Sequence, residues 1–356
     1  MKICFFIGRM AGGGAEKVIT ILANYYVEKG CEVNLVLLLG PEVNYELFPL
    51  SPQIQIVDLS LKGKSYIANS FGWLLSIRRF VKTYNPDKIV SFVGRINALV
   101  LTATIGLKKQ ILVSERNDPR NDGRSWMMQR YCEIIYRRAN AIVFQTQYAK
   151  SCFPSRLSSK SFVIPNPLDI VDIKDCDINS NLLVAVGRLQ PEKNHEMLIQ
   201  AMSIVRSVHP KVRCEIYGDG NLRGVLQKQI TSNQLEETVF LSGVKSNVLD
   251  YVSKAKVFVL TSNYEGLPNA LMEAMMLGKI CVSTDYEGVE DLIENELDGI
   301  VVPRKRPDKL AAVLLDILGD KGEKYDEMGK RARIKMRKYS SPDILGQWDS
   351  VIRNLG

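Results

Sequence analysis

The sequence predicts an α/β protein built from two doubly wound, Rossmann-like domains in tandem. Short β-branched and aromatic runs alternate with helical stretches along the chain. The alternation stops in a polar stretch between Pro165 and Asn181 and then starts again. A length of 356 residues fits two domains. Because the apolar strands are separated by crossover helices, we expect each sheet to be parallel and covered on both faces.

The predicted strands divide into two groups around the polar stretch. Seven precede it, at 3–7, 33–39, 54–57, 88–92, 111–114, 141–145 and 161–164. Six follow it, at 182–186, 215–217, 239–241, 257–260, 280–283 and 300–302. Helices are predicted between them, for example at 16–28, 66–83 and 125–138. The tail has Ile344, Leu345, Trp348 and Ile352 at helical spacing, which predicts a helix that packs onto another surface.

The composition excludes several classes of protein. With 46% hydrophobic and 24% charged residues, the chain is neither disordered, collagen-like nor a coiled coil, and no apolar run is long enough for a spanning helix. The seven cysteines are widely spaced, which indicates reduced thiols in a cytoplasmic protein. His195 and His209 are the only histidines, so histidine-rich zinc sites and histidine triads are excluded.

The net charge of +8 is unevenly distributed. Residues 1–168 carry 22 Lys and Arg against 11 Asp and Glu, a balance of +11. Residues 169–356 carry 25 against 28, a balance of −3. The first half is therefore expected to bind anions, with phosphates, anionic lipid and nucleic acid all open at this point.

A glycine loop follows the first predicted strand and includes Gly12, Gly13 and Gly14. Glycines at this position let backbone amides approach a phosphate at a helix N-terminus. A dinucleotide site also needs a carboxylate at the end of the second strand, where this chain has Leu37–Leu39 followed by Gly40. The NAD interpretation is weakened accordingly, and a simple tight turn remains an alternative.

Two cations lie on the loop after the strand at 182–186. Arg188 and Lys193 are five residues apart, and Asn194 is a candidate N-cap for the next helix. A guanidinium and an ammonium on one loop suit a diphosphate, because Arg can bind two oxygens at once. The alternative is a solvated charged turn.

The most specific pattern follows the strand at 257–260. Two carboxylates flank a helix start, and the segment contains Glu265, Gly266, Leu267, Pro268, Asn269 and Glu273. Carboxylates at this spacing can bind two sets of hydroxyls on one ligand, while the helix dipole faces anionic oxygens. The alternative is that Glu273 is only an acid favoured by the helix dipole, which leaves Glu265 and Gly266 unexplained.

These motifs resemble the retaining glycosyltransferases of family 4, which have the GT-B fold of two facing Rossmann-like domains with a cleft between them. The resemblance rests on Gly187-Arg188 with Lys193, on Gly218-Asp219-Gly220, and on Glu265 followed by Glu273. It covers nearly the whole chain. It implies a first domain of residues 1–168 plus a returning C-terminal helix at 341–356, and a donor-binding domain of residues 169–340.

The resemblance implies a role for each motif. Arg188 and Lys193 would bind the donor diphosphate, Glu273 the ribose hydroxyls and Glu265 hydroxyls of the transferred sugar. Gly13 and Gly14 would close over the phosphates from the other domain. We expect no cofactor and no metal, because Arg, Lys and a helix dipole supply the positive charge. A metal interpretation of Asp175 and Asp177 is disfavoured, since both lie in the linker.

The loop after the strand at 111–114 is the fourth candidate and carries Ser114, Glu115, Arg116, Asn117, Asp118 and Pro119. Many family members have a histidine in this region, and this chain has none there. The motif resembles the bacterial surface-polysaccharide subset of the family. Asn117 would bind the sugar or the acceptor, Arg116 phosphate, and Glu115 or Asp118 the incoming hydroxyl. Alternatively, Asp118-Pro119 only starts a turn.

The helix predicted at 125–138 has two stripes. Met127, Tyr131, Ile134 and Ile135 form one, which we expect to be core. Trp126, Arg130 and Arg137 form the other, which has the character of a membrane-surface helix. With Arg78, Arg79 and Lys82 of the basic half, this stripe predicts peripheral contact with the inner face of the cell membrane. A solvated basic face is the alternative.

The sequence therefore predicts a cytoplasmic, metal-independent, retaining glycosyltransferase. We expect a UDP-sugar donor that carries an N-acetylhexosamine or a hexose, and an undecaprenyl diphosphate-linked or saccharide acceptor in bacterial surface polysaccharide assembly. Two alternatives are a GT-B-type UDP-sugar epimerase and a non-enzymatic module that binds phosphoanions or nucleic acid. No interleaved aromatic pattern supports nucleic acid as a partner.

Overall fold

The chain folds into two compact units. A computed structural model describes residues 1–10, 12–61, 66–170, 178–320 and 323–355. One unit comprises Met1–Pro167 and Ser341–Gly356, and the other comprises Leu168–Ser340. The acidic residues Asp175 and Asp177, weighed above as metal ligands, lie outside the described residues.

The first unit is built on a seven-stranded parallel sheet. Its strands are β1 (Lys2–Ile7), β2 (Glu32–Leu37), β3 (Gln55–Asp58), β4 (Lys88–Phe92), β5 (Gln110–Glu115), β6 (Ala141–Phe144) and β7 (Ser161–Val163). They are arranged in the order β3-β2-β1-β4-β5-β6-β7. The helices between them are α1 (Gly14–Glu28), α2 (Tyr66–Tyr84), α3 (Gly94–Ala103), α4 (Trp126–Ile135) and α5 (Gln147–Ser151). Buried apolar residues cover both faces of this sheet, as predicted.

The second unit repeats the plan with six parallel strands. These are β8 (Asn179–Val186), β9 (Arg213–Tyr217), β10 (Val239–Gly243), β11 (Ala255–Leu260), β12 (Ile280–Thr284) and β13 (Ile300–Val302), in the order β10-β9-β8-β11-β12-β13. The helices are α6 (His195–Val208), α7 (Arg223–Ser232), α8 (Val248–Ser253), α9 (Asn269–Met276), α10 (Pro307–Gly319) and α11 (Glu323–Met336). Both strand orders reverse direction at the first strand of the unit, so the predicted doubly wound topology is confirmed.

The C-terminal helix α12 (Ser341–Arg353) belongs to the first unit. Its apolar stripe, Ile344, Trp348 and Ile352, is buried in the core that also contains β1 and α1. The Trp348 ring is fully buried and stacks on Phe92 with 5.9 Å between ring centroids. A residue near the end of the chain thus completes the core of the unit that the chain forms first.

The parallel strands place the candidate residues. The loops that begin at Gly187, at Thr261 and at Asp285 follow β8, β11 and β12, which are neighbours in the second sheet. Because the carboxyl ends of parallel strands share one edge, these loops meet there. In the first unit, the loop that begins at Arg116 follows β5 in the same way. Within the described ranges, no helix combines the length and the hydropathy needed to cross a membrane.

Replacing Trp348 by Ala tests the contribution of α12 to the first unit. Removing a fully buried indole leaves a cavity and should lower the free energy of unfolding by about 3–5 kcal/mol. Gln347→Ala, an exposed position on the same helix, is the control and should change it by less than about 0.5 kcal/mol. Urea unfolding followed by fluorescence measures both, and equal midpoints for the two variants would contradict the burial of this helix.

Candidate functional site

The loop after β8 carries the two candidate cations. Gly187 and Arg188 follow the strand, and Pro191–Lys193 forms one 3-10 turn. Asn194 then adopts a left-handed conformation with φ 48° before α6 begins at His195. Asn194 occupies the N-cap position of α6, as predicted, but its side chain makes no capping hydrogen bond. It donates instead to Asn263 Oδ1 at 3.3 Å, in the loop after β11.

Lys193 and Glu265 are brought together from different loops. The Nζ of Lys193 donates to Oε1 of Glu265 at 2.6 Å, and both side chains are largely buried. Ser262 Oγ donates to the same carboxylate oxygen, also at 2.6 Å. Thr261 Oγ1 donates to the carbonyl of Lys193 at 3.0 Å. The structure therefore joins one predicted phosphate ligand to the predicted sugar ligand.

Arg188 is not part of this pair. Its side chain is 59% exposed and its Nη2 donates to Glu192 Oε1 at 3.0 Å, within its own loop. An ion pair this exposed contributes little to stability, so the guanidinium can exchange Glu192 for another anion at small cost. This placement fits the solvated turn and the phosphate ligand equally well.

Glu273 lies inside α9 rather than at its start. The helix begins at Asn269, after Pro268, and its first turn contains no acidic residue. Glu273 is its fifth residue and is half-buried. This position is about one turn inside the helix, as predicted, and it disfavours the alternative in which Glu273 is only an acid favoured by the helix dipole. Gly266 and Leu267 form the end of the loop, with Leu267 buried in the core of the second unit.

Two glycines allow the loop after β9 to pack on the cationic loop. A Cβ on Gly218 would lie 2.0 Å from the carbonyl oxygen of Gly187, and one on Gly220 would lie 2.4 Å from that of Leu189. Gly218 also has φ +142°, a conformation that side chains rarely adopt. The backbone bond from Leu189 N to Asp219 O, 3.0 Å long, joins the two loops. The Gly218-Asp219-Gly220 motif is thus required by close backbone contact.

Asn263 begins the candidate segment after β11 but was given no role from the sequence, and Arg304 was not among the candidates. Asn263 bonds to the cationic loop three times: its N donates to Glu192 O at 2.8 Å, its Nδ2 donates to Pro191 O at 3.0 Å, and its Oδ1 accepts from Asn194. Arg304, just after β13, donates from Nη1 to the Asn263 carbonyl at 3.0 Å. Arg304 follows β13 at the edge where ligands of open α/β sheets bind, and this position is the signal that could have identified it.

Two carboxylates hold Arg304 in place. Its two terminal nitrogens donate to Glu287 at 3.0 and 3.1 Å, and its Nε donates to Asp285 Oδ1 at 3.1 Å. Burial alone would raise the pKa of Glu287, but the hydrogen bonds from Arg304 outweigh it and hold that pKa below its ordinary value. The two side chains form a fork-to-fork pair, which fixes the direction of the guanidinium.

The glycine loop of the first unit leads into the N-terminus of α1. Gly13 is the N-cap and Gly14 the first helical residue. A Cβ on Gly13 would lie 2.5 Å from a carboxylate oxygen of Glu16, whose side chain folds back over this position. An anionic ligand at these amides would therefore have to displace Glu16. The sequence alone did not indicate this competition.

The loop after β5 uses most of its polar side chains internally. Arg116 is 5% exposed, donates to Ser114 Oγ at 2.8 Å and Asn166 Oδ1 at 2.9 Å, and lies over the Trp348 ring. Asp118 is 3% exposed and accepts from Arg120 N, from Asn121 Nδ2 and from the Tyr148 hydroxyl. These bonds favour the turn interpretation of Asp118. Asn117 is exposed.

Glu115 is also unavailable to a ligand. It is fully buried, pairs with Arg124 at 3.0 Å, and accepts a hydrogen bond from the Tyr136 hydroxyl. Burial raises the pKa of Glu115, and the Arg124 guanidinium opposes that shift by stabilising the charged form. The expectation that Glu115 orients a hydroxyl is therefore wrong, and its bonds hold the loop instead.

The exposure of side chains on α4 contradicts a second expectation. Met127, Tyr131 and Ile134, predicted to be core, are 63%, 39% and 58% exposed, whereas Ile135 is buried. Trp126 is 76% exposed. Arg130 pairs with Glu133 at 2.9 Å, and Arg137 lies in an exposed 3-10 turn after the helix. Apart from Ile135, the residues of both predicted stripes are thus exposed, and they present apolar side chains together with cations.

Comparison with known proteins identifies the family. Residues 12–171 match the model "Glycosyltransferase Family 4", and residues 172–335 match the model "Glycosyl transferases group 1". The chain is also similar to the "GalNAc-alpha-(1->4)-GalNAc-alpha-(1->3)-diNAcBac-PP-undecaprenol alpha-1,4-N-acetyl-D-galactosaminyltransferase" of Campylobacter jejuni, with 26% identity over 99% of this chain and 98% of the relative.

Two further proteins extend the comparison. The Campylobacter jejuni "N-acetylgalactosamine-N,N'-diacetylbacillosaminyl-diphospho-undecaprenol 4-alpha-N-acetylgalactosaminyltransferase" is 25% identical over 85% of this chain and 86% of its own length. The crystal structure of Anabaena HepE with UDP and glucose has a TM-score of 0.85 over 99% of both chains, at 18% identity, which shows a shared fold. The two family models together span nearly the whole chain, which therefore belongs to glycosyltransferase family 4 and has the GT-B fold.

Proposed function

We propose that this glycosyltransferase moves an N-acetylhexosamine or a hexose from a UDP-sugar to a lipid diphosphate-linked or saccharide acceptor, with retention and without a metal. The proposal rests on the contact between the Lys193 ammonium and the Glu265 carboxylate, 2.6 Å apart at the strand ends of the second unit. A cation beside a carboxylate can bind a ligand that carries phosphates at one end and hydroxyls at the other, the cation contacting the phosphates and the carboxylate the hydroxyls.

The donor would bind along this edge. Arg188 and Lys193 would contact the diphosphate, and the positive end of the α9 dipole at Gly266, Leu267 and Asn269 would add to the attraction. Glu273 would accept the ribose hydroxyls. Positive charge fixed by the protein compensates the leaving diphosphate, so this arrangement needs no metal.

Glu265 would bind the transferred sugar. Its bonds to Lys193 and Ser262 both involve Oε1. The second oxygen, Oε2, would accept hydrogen bonds from hydroxyls of the sugar. The carboxylate acts by binding rather than as a hydrolytic nucleophile.

Retention follows from attack on the face that the diphosphate leaves. The bond between the anomeric carbon and the diphosphate oxygen breaks, the bond to the acceptor oxygen forms on the same face, and the acceptor proton passes to the departing diphosphate. No protein base is required. The exposed Asn117 is the residue of its loop that we assign to substrate, whereas Arg116 and Asp118 support the loop.

The acceptor class is inferred from the relatives. Both Campylobacter enzymes are named for alpha-linked N-acetylgalactosamine transfer to undecaprenyl diphosphate-linked saccharides. The same class of acceptor here places the reaction in bacterial surface polysaccharide assembly. Such an acceptor is held in a bilayer, so the enzyme would work at the inner face of the cell membrane.

A membrane-facing surface is the corresponding structural proposal. On α4, Trp126, Met127, Tyr131 and Ile134 are exposed beside Arg130 and Arg137. On α2, Phe71 and Leu75 are 71% and 55% exposed, and Arg79 and Lys82 follow one and two turns later. Of the three cations expected on α2, Arg78 is engaged, since it donates to the carbonyls of Ala103 and Ile105. Apolar side chains bordered by cations match an anionic lipid surface.

The function is tested by incubating the enzyme with a panel of labelled UDP-sugars and membrane lipid extract. One sugar should appear in the lipid fraction with an alpha linkage, in the presence of EDTA. Recovery of an epimerised UDP-sugar, a beta linkage or a strict metal requirement would contradict the proposal.

Replacing Glu265 by Gln tests the sugar-binding role. The change preserves shape and removes the charge, so turnover should fall roughly tenfold to a hundredfold, the equivalent of one charge-assisted hydrogen bond. UDP affinity, measured by calorimetry, should change less than about threefold, since UDP lacks the sugar. Glu237→Gln, an exposed position before β10, is the control. Unaltered turnover in Glu265→Gln would remove this assignment.

Flotation with vesicles tests the membrane surface. Arg130→Glu with Arg137→Glu should lower binding to vesicles containing phosphatidylglycerol by at least about tenfold, because each charge near the surface contributes about 1 kcal/mol. Trp126→Ser with Ile134→Ser should lower it by removing apolar contact. Lys228→Glu on α7 makes one comparable charge change on the second unit and should have no effect. Equal flotation of the wild type and all variants would contradict the membrane assignment.

A further inference from the structure

The positions of Lys193 and Glu265 depend on more than their own ion pair. The loop at 187–194 and the loop at 261–268 are also joined by the bond from Thr261 Oγ1 to the Lys193 carbonyl, 3.0 Å long. The hydrogen bonds of Asn263 hold the two loops together. Asn263 lies two residues before Glu265, and its partners Pro191, Glu192 and Asn194 surround Lys193.

Arg304 fixes the same residue from the opposite side. Its Nη1 donates to the carbonyl of Asn263, while Glu287 and Asp285 hold the guanidinium. The backbone N of Arg304 also donates to Asp285 Oδ1, at 2.8 Å, so the side chain and main chain of Arg304 share one anchor. A third loop, after β13, thereby supports the two that carry the candidate ligands.

Arg304 and Asn263 support the same pair of loops. Arg304 holds the main chain at Asn263, and the side chain of Asn263 holds the cationic loop. Loss of either contact would leave the bonds from Asn263 N to Glu192 O and from Thr261 Oγ1 to Lys193 O, so the Glu265 loop would be less tightly fixed relative to Lys193. A displacement of about 1 Å at reacting groups can cost roughly a hundredfold in rate, because alignment is lost.

We propose that Arg304 and Asn263 are positioning residues that set the separation of the Lys193 ammonium and the Glu265 carboxylate, and that they control turnover more than nucleotide affinity. This inference rests on the proposed function, because it takes Lys193 and Glu265 as donor ligands. Neither positioning residue needs to touch the donor. The contacts of Arg304 use its fork-shaped donor group, which the single ammonium of a lysine cannot reproduce.

The test compares Arg304→Ala, Arg304→Lys and Asn263→Ala with wild type in the transfer assay, in UDP calorimetry and in urea unfolding. The value of kcat should fall roughly tenfold to a hundredfold in all three. The Kd for UDP should change less than about threefold. Arg306→Ala is the matched control, since Arg306 lies two residues further on, is exposed and pairs with Asp308.

Two additional measurements separate positioning from a general loss of structure. Guanidinium ion added to Arg304→Ala should restore part of kcat and should not affect Arg306→Ala. The double variant Arg304→Ala with Asn263→Ala should lose less activity than the two single losses combined, because both residues support the same pair of loops. If Arg304→Ala does not fold, Asn263→Ala with its unfolding midpoint decides the question.

The outcomes distinguish this inference from the proposed function. If Glu265→Gln lowers turnover but Arg304→Ala and Asn263→Ala leave kcat unchanged, the positioning inference fails alone. If Glu265→Gln and Lys193→Ala both leave turnover unchanged, the donor assignment itself fails. A loss of UDP affinity as large as the loss of kcat in Arg304→Ala would also overturn the inference, since it would indicate a role in nucleotide binding.

Discussion

The contact between the Lys193 ammonium and the Glu265 carboxylate is the interaction on which the candidate site depends. A carboxylate placed near a diphosphate is repelled by it, unless a cation lies close to both. Lys193 supplies that cation, and its ion pair is largely shielded from water, where the interaction is stronger than at an exposed surface. The glycines at 218 and 220 contribute to this geometry, because they let the loop after β9 pack against the backbone before Lys193.

Much of the fold was predictable from the sequence. Most strands of the described ranges are buried and form continuous apolar runs, so the strands there were recognised in the right order, including the less buried β3 and β10. The loops after β8 and β11 were recognised for a related reason, since the topology forces residues that follow neighbouring strands to meet. Asn263 was harder to identify. A neutral amide in a loop has no distinctive spacing, and its importance comes from partners more than sixty residues away.

The polar residues after β5 show that a position after a strand does not by itself identify a ligand-binding residue. The same segment contains the exposed Asn117 and the buried Glu115, Arg116 and Asp118. Their partners include Arg124, nine residues after Glu115, and also Tyr136 and Asn166, which lie beyond the loop. The spacing of these residues could not distinguish those that support the loop from the one that we assign to substrate. On α4, helical period defined the stripes, but the helix packs through Cys132 and Ile135, so that only Ile135 of the predicted core stripe is buried.

The most direct test of the account is calorimetry of UDP binding in EDTA and again in excess magnesium or manganese, with wild type, Lys193→Ala and Arg188→Ala. The account predicts equal Kd values with and without metal for wild type. It also predicts a loss of roughly tenfold to a hundredfold in each variant, as expected for a charged hydrogen bond. Binding that requires the metal, or that persists unchanged in both variants, would contradict it.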